Sequence, residues 1–198
     1  MSGGSGEAAS AGAGAGAAQL LAEMGRPSTV SAGMTDATTP DAQAGYEKGY
    51  SVALSNHAGA DMINLSVGML GLMMVASRGS LVIDDDMCGA ILRSVRGIEV
   101  SADALDIEAV ERVVSGGGHY LGEAQTLKLM TTEYTYPTLA DRASVNDWLL
   151  SGAPSLWNKA SARVAEILAQ PQSEHLSSLA ERNIRERFPV QLSTFEDG

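Results

Sequence analysis

Apolar and polar positions along the chain fall into alternating helical and extended stretches. Residues 3–6, Gly-Gly-Ser-Gly, read as a turn, and Glu7 to Glu23 carry the Ala, Gln and Leu composition of a helix. Gly12, Gly14 and Gly16 lie inside it, and each costs about 1 kcal/mol relative to alanine. Such a helix needs a close-packed neighbour. After Gly25, Arg26 and Pro27 comes a β-type run, Ser28 to Ala32, then a polar loop from Met34 to Pro40. Asp41 is placed to cap a helix running to about His57, and Gly59 stops it. A second β-type run, Met62 to Leu65, leads into a Gly/Met-rich stretch from Gly68 to Ala76. A further helix is expected from Leu81 to Arg96, closed by Gly97, then an extended segment to Ser101 and a helix from Ala104 to Ser115.

β-type runs separated by helices of about 12 to 18 residues imply parallel βα units, hence an α/β fold. From His119 the pattern changes. Residues 123–133 read as helix and Tyr134 to Pro137 as extended, and Ser144, Ser155 and Ser173 stand where N-caps would precede three helical stretches. The expected organisation is βα units over residues 1–122, a helical extension packing on them over 123–188, and a tail over 189–198. Two or three βα units cannot close a sheet, whereas a (β/α)8 barrel needs eight strands and about 250 residues. The α/β part therefore reads as the C-terminal portion of such a TIM barrel, or as a small open sheet with helices on both faces.

Composition narrows the partners. The chain has 198 residues, with 24 acidic against 13 basic side chains and a net charge of −11, which argues against binding a nucleic-acid backbone. Hydrophobic residues at 44% suffice for a core. No run of roughly 18 apolar residues exists to span a membrane, and the N-terminus lacks the positive start of a signal peptide. The single cysteine, Cys88, excludes a disulfide framework or a cysteine zinc cluster. A cytoplasmic protein is expected, and a homo-oligomer.

Glycine strings carry little chemistry here. Gly12 to Ala18 contains G-x-G-x-x-A, but the dinucleotide fingerprint needs a strand before it and a helix opening at it, and these glycines fall inside a helix. Gly-Gly-Ser-Gly-Glu lacks the Lys-Ser/Thr of a P-loop. His119-Tyr120-Leu121-Gly122 has the H-x-x-G core of corrinoid-binding modules, but their orienting aspartate is replaced by Gly117. His119 is then either a loop histidine touching substrate or partner, or a structural one. Glu7, Asp36 and Asp41 are assigned to loops beside strand ends, where parallel α/β folds gather their active-site groups. Asp36 is the best placed, while Asp41 reads first as a cap. Asp84, Asp85 and Asp86 read as the first turn of a helix, with cation binding as the alternative. Met69, Met73 and Met74 are expected in the core or a pocket wall, and Cys88 as a buried thiol.

Three longer strings carry a resemblance. TDATTPDAQAGYEK at 35–48, LVIDDDMCGAILRSVRGIEV at 81–100 and GGGHYLGEAQTLKLMTTEYTYPTLADR at 116–142 resemble segments of the trimethylamine methyltransferase family. The resemblance runs in order from Gly3 to about Leu168. It implies a (β/α)8-barrel enzyme of methylamine metabolism or methanogenesis that moves a methyl group from an amine to a partner corrinoid protein. The cobalamin would belong to that partner, none being held by this chain, and no metal site is expected. The trimethylamine branch is expected to use a pyrrolysine, which would lie upstream of Met1; sister members without it act on betaine-type amines. A fragment without catalysis, acting as an interaction subunit, is the other alternative. Under this resemblance Glu7 and Asp36 would orient the amine or stabilise its charge, and His119 and Tyr120 would touch substrate or corrinoid protein.

Overall fold

The structure, a computed structural model, describes residues 6–171 and 176–190. Helix α1 (Gly6–Glu23) precedes β1 (Thr29–Ala32), α2 (Ala42–His57) and β2 (Met62–Leu65). The strands pair in parallel, Thr29 opposite Met62 through Ala32 opposite Leu65. Ser28 and Asp61 fix this register from below: the Ser28 amide donates to Asp61 Oδ2 at 2.8 Å, and the Asp61 amide donates back to Ser28 Oγ at 3.2 Å. The expected order of helix and strand therefore holds through β2, and the fold is mixed α/β.

Helix α2 is the hub, packed against α1, both strands and α3 (Arg78–Val95). Asp41 caps it by accepting from the Gln43 and Ala44 amides, as its sequence position predicts. The glycines of α1 are used unevenly. A Cβ at Gly14 would meet Val30 at 3.7 Å, while Gly12 and Gly16 face open space, so only one of the three serves close packing.

Four stretches differ from expectation. The Gly/Met-rich segment forms an antiparallel pair, β3 (Met69–Leu70) and β4 (Val75–Ala76). Its tip places Gly71, Leu72 and Met73 in the left-handed region, which turns Met73 and Met74 outward, 50% and 85% exposed; Met69 is half-buried. Helix α3 begins at Arg78 rather than Leu81, because Ser77 accepts the Ser80 amide. The acidic run therefore sits beyond the first turn. The helix expected over 104–115 is two, α4 (Ala102–Leu105) and α5 (Ile107–Gly116), broken where Asp106 turns left-handed and caps the second. Residues 98–101 form no strand, and Ile98 and Val100 are exposed.

A 3-10 turn (Tyr120–Gly122) leads into α6 (Ala124–Met130), followed by α7 (Val145–Leu150), α8 (Leu156–Leu168) and α9 (Ser178–Arg187). Ser144 and Ser155 cap α7 and α8 as expected. Ser173 lies outside the described residues, and α9 is capped by Ser177. Helix α8 docks on α3, where Trp157 lies over Gly79.

The hydrophobic content does not become a conventional core. The largest fully buried side chains are Lys48, Val52, Thr35, Ser51 and Ser55, while Ile98, Leu150 and Met74 are exposed. The accessible surface is 14057 Å², against about 8,900 Å² for a compact monomer of this mass. No helix among the described residues is long and apolar enough to cross a membrane.

Candidate functional site

Parallel strands deliver their following loops to one edge, so the segments after Ala32 and Leu65 lie side by side. The first, 33–41, opens on Gly33, whose amide donates to Ser51 Oγ at 3.0 Å. Gly33 has φ +77° and a Cβ there would meet Val52 at 3.3 Å, so glycine suits both the backbone and the space. The second loop passes through Gly68 to the β3–β4 pair. The two are stitched by backbone hydrogen bonds, Leu72 amide to Thr35 carbonyl at 2.9 Å and Gly71 amide to Ala37 carbonyl at 2.8 Å.

Beneath these loops α2 presents an unusual buried face: Ala44, Glu47, Lys48, Ser51, Val52 and Ser55. Charged residues are almost never fully buried unless paired, and both are paired here. Glu47 Oε2 accepts from Thr35 Oγ1 at 2.5 Å and from the Asp36 amide at 3.0 Å, and its Oε1 accepts from Gln43 Nε2 at 3.0 Å. Burial pushes the Glu47 carboxyl up, but these hydrogen bonds to the ionised form outweigh it and hold the group below the ordinary glutamate value. Lys48 Nζ lies 2.6 Å from Asp84 Oδ2, with both side chains buried, and donates to the Ser66 carbonyl at 3.4 Å. The same Asp84 oxygen accepts the Gly68 amide at 2.8 Å.

The acidic run is thus divided. Asp84 serves the buried pair, Asp86 accepts from the Thr138 and Ala140 amides at 2.7 and 3.2 Å, and Asp85 is exposed. Among the described residues no group of three His, Cys, Asp or Glu is arranged to hold a metal ion. Cys88 is half-buried rather than buried; burial and then the Asp84 and Asp85 charges push its thiol pKa up, which disfavours the thiolate.

The four candidate residues lie on three separate segments of the chain. Asp36 is half-buried in the first strand-end loop, its amide held by Glu47. Glu7 belongs to the first turn of α1 rather than a loop, and its side chain lies outside the described residues. His119 and Tyr120 are exposed on the turn that packs against α6, and no hydrogen bond or ion pair among the described residues joins them to Asp36. Sequence reasoning passed over Thr35, Glu47, Lys48 and Gly68. Their signal was available: Ala44, Lys48, Ser51 and Ser55 recur at the spacing of one helix face, so a small-residue face contains a charge.

A profile of the family described as trimethylamine methyltransferase (MTTB) matches residues 1–188. The chain belongs to the trimethylamine methyltransferase family. Within it, the chain is 36% identical over 155 residues to the trimethylamine methyltransferase MttB of Methanosarcina thermophila, covering 78% of this chain and 32% of that protein. The corresponding protein of Methanosarcina barkeri is 36% identical, over 78% of this chain and 31% of its own length. The glycine betaine methyltransferase of Desulfitobacterium hafniense (strain Y51) is 32% identical over 152 residues, 77% of this chain and 31% of the relative. This member of the family therefore spans about a third of the length of the curated relatives it matches.

Proposed function

We propose that the chain forms the C-terminal part of a (β/α)8-barrel methyltransferase that moves a methyl group from a methylated amine to a corrinoid protein. The observation that carries this is the family match over nearly the whole chain, on a fold whose parallel strands end in two stitched loops. Among the described residues the β1–β2 sheet has no third strand at either edge, and the large exposed surface fits a piece completed by further strands.

In this reading a reduced corrinoid carried by the partner would supply the nucleophile and accept the methyl group, while the amine nitrogen keeps the electron pair of the broken N–C bond and leaves as the demethylated amine. What this chain contributes is orientation and charge. Asp36 faces the methylammonium cation and holds it in line, since a fixed carboxylate and a fixed approach remove much of the entropic barrier. Glu7 shares that role from α1, and His119 and Tyr120 contact the substrate or the corrinoid protein. A pyrrolysine would come from sequence outside this chain. A betaine-type quaternary amine is the second reading, favoured by the similarity to the glycine betaine enzyme.

The test is methylation of a purified, reduced corrinoid protein by the barrel-complete enzyme, with trimethylamine and glycine betaine compared. Transfer from one amine selects between the readings. Asp36→Asn should raise KM for the cation or lower kcat; unchanged kinetics would remove Asp36 from the site.

A further inference from the structure

We propose that Glu47 and Lys48 of α2, with Asp84 of α3, are positioning residues that fix the two strand-end loops relative to each other and so hold Asp36 in place. The proposal rests on the reading that those loops line the methyl-transfer site. Its starting observation is that two adjacent residues of one helix turn reach opposite loops. Glu47 takes the Thr35 hydroxyl and the Asp36 amide of the first loop. Lys48 takes the Ser66 carbonyl of the second loop directly, and through Asp84 it holds the Gly68 amide. The Gly68 carbonyl in turn accepts the Ser77 amide at 2.8 Å, so the second loop is tied at Gly68 to the start of α3 as well.

Stability alone does not account for this arrangement. A buried ion pair is often no better for stability than a well-packed apolar pair of similar volume. An apolar pair has no group to hold a loop carbonyl and a loop amide in place: without the ions the Gly68 amide loses the Asp84 carboxylate, and the Ser66 carbonyl keeps only the Met69 amide at 3.1 Å. The distinguishing property of Lys48 and Asp84 is therefore the geometry they impose. Glu47 is equivalent on its side: its two oxygens receive three donors, one of them the backbone amide of Asp36 itself.

The experiment uses the barrel-complete protein with three changes. The pair Lys48→Met with Asp84→Leu removes both charges together and leaves no unpaired ion. Glu47→Leu removes the first arm, and Glu47→Gln keeps an oxygen that accepts from Thr35 and Asp36. Amide hydrogen exchange is read at Gly68 and Asp36, alongside kcat and KM for the amine. The paired variant should exchange Gly68 about 10-fold faster or more, one decade of opening equilibrium. Its kcat should fall by up to about 100-fold, the loss typical of ~1 Å of misplacement, with a smaller change in KM. Glu47→Leu should do the same at Asp36, and Glu47→Gln should recover part of both losses. Wild-type exchange at Gly68 in a folded paired variant overturns the proposal, as does Glu47→Gln behaving like Glu47→Leu. If the paired variant does not fold, the comparison at Glu47 decides. Absent methyl transfer in the unmodified enzyme would refute the methyltransferase reading, while the exchange data would still judge the clamp.

Discussion

Gly79 offers a quantitative test of how the C-terminal helices attach. A Cβ built there falls 2.4 Å from Trp157 Cζ3, 2.7 Å from Cη2 and 3.2 Å from Cε3. Carbon atoms prefer about 3.5–4.0 Å, so the indole, or α8 with it, must move by roughly 1 Å. Overpacking of this kind costs about 1–3 kcal/mol. Alanine also gains about 1 kcal/mol of helix propensity over glycine, so Gly79→Ala should be neutral to about 2 kcal/mol less stable. Gly89 separates the two effects, because it lies in the same helix and a Cβ there meets nothing within 4 Å. Gly89→Ala should show the propensity gain alone. For a chain of this size 1 kcal/mol shifts Tm by about 2–4 °C, so Gly79→Ala should melt roughly 2–12 °C below Gly89→Ala. Circular dichroism melting reads this, and a Trp157→Leu background should abolish the difference by removing the ring. Equal upward shifts in both glycine variants would refute the packing of α8 on α3 described above.

Other consequences concern the loops. Gly68 combines φ +73° with a Cβ position 3.1 Å from Leu81 Cβ and 3.2 Å from the Ser77 carbonyl. Gly68→Ala should therefore lower stability by at least about 1–2 kcal/mol, clearly more than Gly59→Ala, where φ is +81° but space is open; equal denaturant midpoints would contradict this. The Glu47 carboxyl is held below its ordinary value of 4.5. Its stabilisation is thus complete above that ordinary value and is lost as pH falls through the folded-state value. Glu47→Gln should flatten the acid side of the Tm profile, and an acid limb as steep as the parent's would count against the hydrogen bonds assigned to Glu47. Met74 is 85% exposed at the β3–β4 tip, so Met74→Ser should reduce self-association in light scattering with Tm unchanged; a large Tm loss would mean the side chain is packed.

Local signals were legible in the sequence. Asp41, Ser144 and Ser155 cap helices because a short oxygen-bearing side chain reaches the amides two or three residues on, and β1 and β2 fall where β-type runs meet glycine and proline. Long-range facts were not. Lys48 and Asp84 are 36 positions apart, and each alone reads as a solvated charge. Asp106 sits inside an apparently continuous apolar pattern, yet its left-handed backbone ends one helix while its side chain starts the next. The methionines at 73 and 74 belong by composition in a core, but a left-handed tip carries them to the surface. Asp36 is singled out by its place after a strand, whereas the carboxylate that holds its amide is visible only in the fold.

If, as proposed, the chain is one part of an amine methyltransferase, it should be inactive until the barrel is completed. Methylation of a reduced corrinoid protein, followed by its absorbance, tests it with the isolated chain and with the chain joined to the polypeptide that completes the barrel. No transfer is expected from the isolated chain, and amine-dependent transfer from the completed enzyme. Full transfer by the isolated chain, or none from either trimethylamine or glycine betaine in the completed enzyme, would contradict the proposal.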